Sequence, residues 1–504
     1  MLRLVKNLSC ILLTGAAAVS ANAFSLLGPF DTWQANAVGY NFNFDTPVVG
    51  SSGDVGGPMN LGEEYRWNSP YVAYGFDPSF VEFFGQKGID AVEAAVKILN
   101  DLPAVGKMSE DLSEFPLDTR RYNYQAGALQ IRDLKSWTLS MLLESIGLAA
   151  PERYIYTLRN RVVVNNVPIY TTFKRNFDPI TLLPSSYVNG TLYTFNIFQT
   201  YFAPNPIDAW EAVEVTVDPL APSVTSVAAY AGVLSGTTDS RAGSVLYNPG
   251  IFYTGLTRDD VGGIRYLLRS SNYNVETLPL NSSIAQGGGG GGTTGSGGLP
   301  WLPATGTSGG GVGAAGVGAG AGGAVGAAVP VDAALRAGVN KLNFVRANFD
   351  SALGQFYTNN VVYSDEYITN GITRKQLIQI SQVQPDILFS AADLGVNNTG
   401  NPILFSRVLN FQNNSAINTG AGGAGLAGPG TIAAPVQIIY SKVGPFSQHF
   451  GNGPEQLGQA GLVWGSYDAS TNAPVIFPSE ISVKELERIV LQKSGGSVFQ
   501  VAQP

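Results

Sequence analysis

The sequence predicts an α+β protein, with a mixed α/β N-terminal region and a β-rich C-terminal region. Apolar residues recur with the period of an α-helix over residues 88–102 and 133–146. Apolar and polar residues alternate over residues 210–218, which is typical of a strand with one buried face. Residues 161–175 and 186–195 each contain an Asn-bearing turn pair between apolar segments, so each is predicted to form a β-hairpin.

The predicted helices have start and stop signals in the sequence. Pro103 ends the first helix, because proline cannot donate the next backbone hydrogen bond. Gly147 stands at the C-terminal end of the second helix, and Pro151 blocks its continuation. A shorter third helix is predicted from Thr257, whose hydroxyl can cap the first turn, through Leu267.

Strands are predicted before and after these helices. Residues 71–76 are expected to form a strand. The two hairpins are expected to turn at Asn165–Asn166 and Asn189–Gly190, since Asn and Gly tolerate the positive φ that tight hairpins require. We expect the region after residue 330 to have strands and helices as follows: strands at 341–349, 360–363 and 436–440, and helices at 373–382 and 482–492.

The first residues have the three parts of a secretory signal peptide. Arg3 and Lys6 supply a positive segment, residues 8–19 are apolar, and Ala21–Ala23 is a small-x-small cleavage site. The apolar run is shorter than the roughly 20 residues of a membrane-spanning helix. The sequence therefore predicts an extracytoplasmic protein, in the periplasm, at the cell surface or outside the cell. Its mature chain would start at Phe24 and would have no transmembrane segment.

Composition excludes several kinds of site and partner. Cys10 is the only cysteine and lies in the predicted signal peptide, so the mature chain would have no disulfide and no Cys-ligated metal. The chain has 29 Lys and Arg against 37 Asp and Glu, a net charge of −8, and no basic run. Such a chain is not expected to bind nucleic acid. The composition leaves the partner unknown and fits either a protein or a polysaccharide.

The chain divides into four segments by composition. They are a signal peptide (1–23), a mixed α/β domain (24–285), a Gly/Ala-rich linker or insertion (286–330) and a β-rich region (331–504). The third segment has almost no charge and too few apolar side chains to become ordered by burial. It contains a match to a cell-wall sorting signal at 302–306, but far from the C-terminus, where that signal acts. The last segment is either a separate domain or the completion of the first.

No complete catalytic, cofactor-binding or metal-binding set is found in the sequence. His449 is the only histidine, which excludes a zinc site built on two or three histidines. The one Gly-x-Ser-x-Gly match, at 306–310, lies in the Gly-rich linker, without the strand and helix that position a nucleophilic serine. We therefore assign no catalytic, cofactor or metal residues, and we expect no cofactor.

Adjacent acidic residues have structural explanations. Asp259–Asp260 lie in the first turn of the third predicted helix, where the helix dipole favours negative charge. Glu63–Glu64 and Asp365–Glu366 are neighbours along extended chain, so their side chains are expected to point in opposite directions. A glycosidase pair built from distant carboxylates and a calcium ion in a loop such as 467–472 both stay open.

Residues 134–150 resemble the active-site helix of the metzincin metallopeptidases, especially the matrixin-like group. The motif of that family is HExxHxxGxxH, in which three histidines bind zinc and the glutamate acts as the general base. The resemblance matches the glycine of the motif to Gly147. The other motif positions then fall on these residues: Ser140, Glu144 and Ala150 for the ligands, and Met141 for the base.

Two later segments extend the resemblance. Residues 244–249 resemble the Met-turn of the family, with Leu246 in place of methionine, and residues 256–264 are similar to the final helix of matrixin-like domains. Over residues 63–270, the resemblance implies a metzincin-like scaffold that has lost its metal, because a lone Glu144 cannot hold zinc. The alternative is an ordinary amphipathic helix ended by Gly and Pro.

These observations favour a secreted, non-enzymatic structural or binding protein of the bacterial envelope or exterior. The signal peptide, the low charge, the missing catalytic sets and the Gly-rich linker support this hypothesis. Two alternatives stay open. One is a metzincin-related peptidase homologue that is either inactive or uses an unrecognised site, and the other is a carbohydrate-active hydrolase.

Overall fold

The computed structural model describes most of the chain before residue 391 and short segments after it. The described residues are 22–28, 57–129, 131–202, 205–222, 224–230, 249–279, 281–285, 330–390, 411–412, 430–432, 436–437, 463–478 and 483–484. The predicted signal peptide up to Ala21, the Gly-rich tract 286–329 and most of the helix predicted at 482–492 lie outside the described residues.

The described part contains helices and many strands, which confirms the predicted α+β class. The helices are α1 (Pro78–Asn100), α2 (Tyr124–Ala128), α3 (Leu134–Ser145) and α4 (Arg258–Leu268), with 3₁₀ turns at Val105–Lys107 and Pro151–Arg153. The strands before the Gly-rich tract are β1 (Ser25–Gly28), β2 (Gly57–Pro58), β3 (Tyr65–Arg66), β4 (Tyr71–Phe76), β5 (Arg120–Tyr122), β6 (Ile131–Asp133), β7 (Leu148–Ala149), β8 (Thr157–Val164), β9 (Val167–Phe173), β10 (Tyr187–Val188), β11 (Thr191–Phe202), β12 (Asn205–Thr216), β13 (Ile251–Tyr253), β14 (Asn274–Glu276) and β15 (Ser282–Ile284). The strands after it are β16 (Ala334–Arg336), β17 (Asn343–Arg346), β18 (Phe349–Asp350), β19 (Gln355–Phe356), β20 (Asn359–Thr369), β21 (Ile372–Gln382), β22 (Ile387–Phe389), β23 (Phe411–Gln412), β24 (Gly430–Ile432), β25 (Val436–Gln437), β26 (Val463–Ser466) and β27 (Val475–Phe477).

Helix α1 begins at a local signal upstream of its predicted start. The Asp77 carboxylate accepts a hydrogen bond from the Phe80 N–H at 2.9 Å. Pro78 occupies the first turn, where its missing N–H is not needed. The helix is kinked at Gly85 (φ 59°, ψ −163°), and the part after the kink corresponds to the predicted helix 88–102.

No helix in the described part combines the length and the apolar composition needed to cross a membrane.

Aromatic rings join α1 to strands from both ends of the chain. The ring centroids of Phe76 and Phe80 lie 5.0 Å apart, and those of Phe80 and Phe84 lie 4.7 Å apart. Phe84 contacts Phe477 at 5.2 Å, and Phe76 stacks on Phe389 at 5.5 Å. All five rings are buried and belong to the main hydrophobic core, so this core needs residues from both sides of the Gly-rich tract.

Strand β4 lies at the centre of a parallel sheet that spans the Gly-rich tract. It pairs with β17 on one side and with β22 on the other. The antiparallel sheet β14-β16-β20-β21-β15 also combines strands from before and after the tract. Of the two arrangements that the sequence left open, the strand pairing supports the second, in which residues 331–390 complete the sheets of the first region.

Residues 373–382 form a strand, and the predicted helix there is wrong. They belong to β21, which pairs along its whole length with β20 around a turn at Asn370–Gly371. Both turn residues have positive φ, 52° and 73°. Asn-Gly between two apolar segments is a strong hairpin signal, and it was missed because the apolar spacing of 373–382 also fits a helix. The predicted strand 341–349 is two short strands, β17 and β18.

The hairpins predicted before the tract are confirmed at their turns. Asn165 and Asn166 join β8 to β9 with φ of 50° and 61°. Asn189 and Gly190 join β10 to β11 with φ of 44° and 83°. In both cases the turn residues alone decide where the chain reverses, because few other residues adopt this backbone conformation.

Two buried ion pairs connect chain segments that are far apart in sequence. Arg66 Nε donates to the Glu276 carboxylate at 2.6 Å, and Arg66 Nη1 donates to the Asn272 carbonyl at 2.5 Å. Arg336 Nε and Nη2 donate to the two carboxylate oxygens of Asp365 at 2.8 and 3.0 Å. Arg66 Nη2 also donates to the Arg336 carbonyl at 3.1 Å, which joins the two pairs. The four charged side chains are buried.

Asp386 fastens the start of β22 to β4. Its carboxylate accepts hydrogen bonds from the Ala73 N–H at 2.7 Å and from the Gln382 side-chain amide at 2.5 Å. The side chain is buried, and burial raises its pKa to about 6. The folded protein therefore holds this carboxyl protonated at pH values where the unfolded chain ionises it.

Asp386→Asn is expected to reduce the pH dependence of stability between pH 4 and 6. The contribution of Asp386 is full below its unfolded pKa of 3.8 and is lost as pH rises through about 6. This shift corresponds to about 3 kcal/mol in the free energy of unfolding. Urea denaturation at several pH values between 4 and 6 measures the free energy of unfolding of the wild-type chain and the variant. Asp218→Asn, at an exposed carboxylate, serves as the control, and an unchanged pH slope in the Asp386 variant would contradict the prediction.

Gly147→Ala is expected to destabilise the fold much more than Gly371→Ala. Both glycines have positive φ, 113° and 73°, but a Cβ at Gly147 would overlap the carbonyl oxygen of Tyr65, whereas Gly371 faces open space. Backbone strain alone costs about 1 kcal/mol, so we expect that loss for Gly371→Ala and about 3 kcal/mol or more for Gly147→Ala. Chemical denaturation followed by Trp fluorescence measures both, and equal losses would refute the steric argument.

Candidate functional site

Helix α3 carries the metzincin resemblance and is enclosed on all sides. Its N-terminus is capped by Asp133, whose carboxylate accepts hydrogen bonds from the Ser136 N–H at 2.9 Å and the Ser136 hydroxyl at 2.5 Å. Burial raises the pKa of Asp133. Every side chain of α3 except Lys135 is buried. A helix buried on all faces lies in a core rather than at the wall of an open cleft.

The residues at the zinc-ligand and base positions of the motif do not form a metal site. Ser140, Met141, Glu144 and Ala150 are all buried. The Ser140 hydroxyl donates to the Ala228 carbonyl at 3.2 Å. Within the part of the chain that the structure describes, no three His, Cys, Asp or Glu side chains lie close enough together to hold a metal ion.

A short segment, residues 224–230, lies over α3, and we call it the covering segment. Four successive backbone N–H groups in it donate to two buried carboxylates. The N–H groups of Thr225 and Ser226 each donate to Glu152 at 2.8 Å. The N–H groups of Val227 and Ala228 donate to Asp260 at 3.1 and 3.0 Å. The covering segment is therefore held by one acid from the 3₁₀ turn after β7 and one from the first turn of α4.

Aromatic side chains fill the space between the covering segment and α3. The Tyr230 ring lies 5.9 Å from the Trp137 ring and 5.2 Å from the Tyr253 ring, between centroids. The Tyr230 hydroxyl donates to the Ile251 carbonyl at 2.8 Å. Trp137 also contacts Trp464 at 5.4 Å. These rings pack against one another on the side of α3 that faces the covering segment.

The acidic residues around the covering segment carry unusual electrostatics. Burial raises the pKa of Glu152 and of Asp260, although each accepts several hydrogen bonds. The pKa of Asp259 is raised well above its ordinary value, first by burial and then by repulsion from Asp260 and Glu152. Asp259 accepts from the Asn189 N–H at 2.6 Å. Perturbed acids of this kind are common at active sites, but here they accept backbone hydrogen bonds inside a packed interior.

The sequence anticipated only part of this arrangement. The predicted cap at Thr257 is present, and its hydroxyl and N–H both contact the Asp260 carboxylate. Helix-dipole stabilisation accounts for neither the full burial of Asp259 nor the reach of Asp260 to the covering segment. Glu152 was missed entirely. Its partners lie 73 and 74 residues later in the chain, and no local pattern signals such a contact.

Of the other acid pairs, Asp365–Glu366 lies in strand β20 as the extended-chain argument requires, whereas Glu63–Glu64 precedes β3 and lies outside any strand. Glu64 is buried, whereas its neighbour Glu63 is partly exposed. Asp365 is buried against Arg336, whereas Glu366 is exposed and forms an ion pair with Lys375. Neither pair can act on one substrate as an acid and a base. In the loop 467–472, the Asp468 carboxylate accepts from the Ser470 N–H at 2.9 Å, an ordinary turn contact.

Several predicted features fall outside the described residues. They are the Met-turn segment up to residue 248 with Leu246, the 302–306 and 306–310 matches, and His449.

A small apolar pocket, about 330 Å³ including its opening to solvent, lies between the end of α1, α4 and β17. Its lining includes Leu102, Met108 and Phe344. The Lys341 ammonium at this pocket donates to the Asn100 carbonyl at 2.9 Å.

Comparison with known proteins gives no relative. No family model, no curated protein and no solved structure matches this chain.

Asp260→Asn is expected to release the covering segment. The amide group would point a donor at N–H groups that now meet an acceptor, so amide hydrogen exchange at residues 225–228 should rise sharply. Global stability should fall by about 2 kcal/mol. Asp218→Asn is the matched control, because Asp218 is an exposed acid that accepts from the Leu220 N–H at 2.9 Å. Unchanged protection at residues 225–228 would show that Asp260 does not hold the segment.

Proposed function

We propose that this protein is a secreted, non-enzymatic structural or binding protein of the bacterial envelope or exterior. The observation that carries the proposal is the covering segment. It places the Ala228 carbonyl on the Ser140 hydroxyl and packs Tyr230 against Trp137, in front of the helix where metzincin chemistry would occur. Four backbone hydrogen bonds to buried carboxylates hold the covering segment in this position.

The distribution of carboxylates supports the same proposal. A hydrolytic site needs two acids, or an acid and a nucleophile, that face a common space open to substrate. Glu152, Asp259 and Asp260 accept hydrogen bonds in the interior, and Asp365 neutralises Arg336. These acids stabilise the fold, which leaves the exterior surface for binding.

A second candidate function is that of an inactive relative of the metzincin peptidases, retained as a binding protein. The order of elements favours it, with a strand, a long helix, the motif-like helix α3 and a closing helix α4. Gly147 follows α3 with φ of 113°, at the place where the motif glycine turns the chain. Gly263 of α4 lies against Leu148, the next residue along from that turn. Both candidates are non-catalytic and differ only in ancestry.

The proposal is tested by metal and activity measurements on the purified mature chain. We expect no stoichiometric zinc or manganese and no hydrolysis of peptide or polysaccharide substrates, while the protein is retained on isolated cell envelopes. Calcium, if bound, would stabilise a loop. Glu144→Gln is expected to leave metal content and envelope retention unchanged. Stoichiometric zinc that is lost in this variant, together with chelator-sensitive hydrolysis, would overturn the proposal.

A further inference from the structure

The hairpin β8–β9 has an exposed apolar face. Val162 pairs with Ile169, and Val164 pairs with Val167, so these four side chains lie on one side of the hairpin, next to its turn. Their exposed fractions are 48%, 52%, 47% and 59% in that order. Single exposed aliphatic residues are common on protein surfaces, but four β-branched residues at neighbouring positions on one face form a patch. We call these four residues the hairpin patch.

The opposite side of the hairpin faces the body of the protein. Tyr170, which alternates with the patch residues along β9, packs against the main core. Beside the start of β8, the Tyr156 N–H donates to the Glu214 carboxylate of β12 at 2.9 Å. The hairpin is therefore anchored, and it presents the patch outward as a fixed surface.

The stretch of chain that carries the patch has basic residues and no acidic ones, although the whole protein has a net charge of −8 and the Glu214 carboxylate of β12 lies beside the start of β8. Between Glu152 and Asp178 there is no acidic residue, and the basic residues of this stretch are Arg153, Arg159, Arg161, Lys174 and Arg175. At the base of the hairpin, the Arg175 guanidinium lies 5.5 Å from the ring of Phe173, which is itself 40% exposed. The hairpin patch thus lies near the turn, and the Arg175 guanidinium lies at the other end of the hairpin.

We propose that the hairpin patch docks on an anionic lipid surface. Aliphatic side chains next to a turn can enter the boundary between headgroups and acyl chains, and Lys or Arg behind them can reach the lipid phosphates. A second copy of the chain is a poorer occupant, since it would bring two hairpins of the same positive charge face to face. An acidic soluble polymer would account for the cations but not for the aliphatic patch. This inference rests on the proposed binding function and names the partner.

Flotation of the mature chain with lipid vesicles tests this inference. We expect binding to phosphatidylcholine vesicles that contain phosphatidylglycerol, little binding to phosphatidylcholine alone, and weaker binding as salt increases. Val164→Asn with Val167→Asn should lower the affinity about tenfold, and Arg175→Gln about fivefold. Ile372→Asn is the matched control, because Ile372 is 58% exposed and follows a similar turn in the hairpin β20–β21. It should leave the affinity unchanged.

A fluorescent probe can report insertion directly. The only cysteine lies in the predicted signal peptide, so Val167→Cys gives a single labelling position in the mature chain. An environment-sensitive dye at this position should shift to the blue on anionic vesicles, whereas the same dye on Ile372→Cys should not. Circular dichroism and thermal unfolding of each variant establish that the fold is retained.

Three results with vesicles or in solution would overturn the inference. They are no binding to anionic vesicles at low salt, equal binding by the double Val variant, and a concentration-dependent dimer that the double Val variant abolishes. Retention on delipidated envelopes that depends on the hairpin patch would also overturn it, while leaving the proposed binding function standing. A failure of the wild-type chain to bind whole envelopes or vesicles would count against both.

Discussion

The buried ion pair Arg66–Glu276 precedes the Gly-rich tract, and the buried ion pair Arg336–Asp365 follows it. Hydrogen bonds between the pairs join the two parts of the chain, because Arg66 donates to the Arg336 carbonyl and Arg336 donates to the Glu276 carbonyl. Each guanidinium is taken out of water, which is costly unless all its donors find acceptors. Arg66 donates to Glu276 and to the carbonyls of Asn272 and Arg336. Removing one partner would leave a buried, uncompensated charge. The pairs therefore specify one arrangement of β3, β14, β16 and β20 rather than adding much net stability.

Buried carboxylates perform a second structural role in this protein. Asp133, Glu152, Asp260 and Asp386 each accept hydrogen bonds from backbone N–H groups that would otherwise be unsatisfied in the interior. Burial raises the pKa of each of them. A raised carboxyl pKa is often taken as a sign of catalysis, but geometry decides its meaning. Here backbone N–H groups of the same chain donate to the carboxylates and lower their pKa values, but burial in the packed interior raises the pKa values by more.

The interior around α3 is filled by buried side chains. The covering segment and the aromatic side chains around Tyr230 occupy the space in front of α3, and the pocket beside Lys341 offers no titratable pair for chemistry. The hairpins remain as projecting features with exposed aliphatic side chains. Among the hairpins with exposed aliphatic side chains and an Asn-containing turn, β8–β9 lies in a stretch that has basic residues and no acidic ones. The stretch of β10–β11 has neither, and β20–β21 contains Asp365 and Glu366. A surface of this kind suits contact with an anionic boundary better than contact with a soluble substrate.

The sequence by itself determined the features that depend on neighbouring residues. The α3 boundaries, the cap at Thr257 and the turns at Asn165–Asn166 and Asn189–Gly190 follow from hydrogen bonds and φ preferences within a few residues. Tertiary structure decided the rest. Residues 373–382 became a strand because β20 pairs with them, and contacts such as Glu152 to the covering segment join residues too distant in sequence for any local pattern to record.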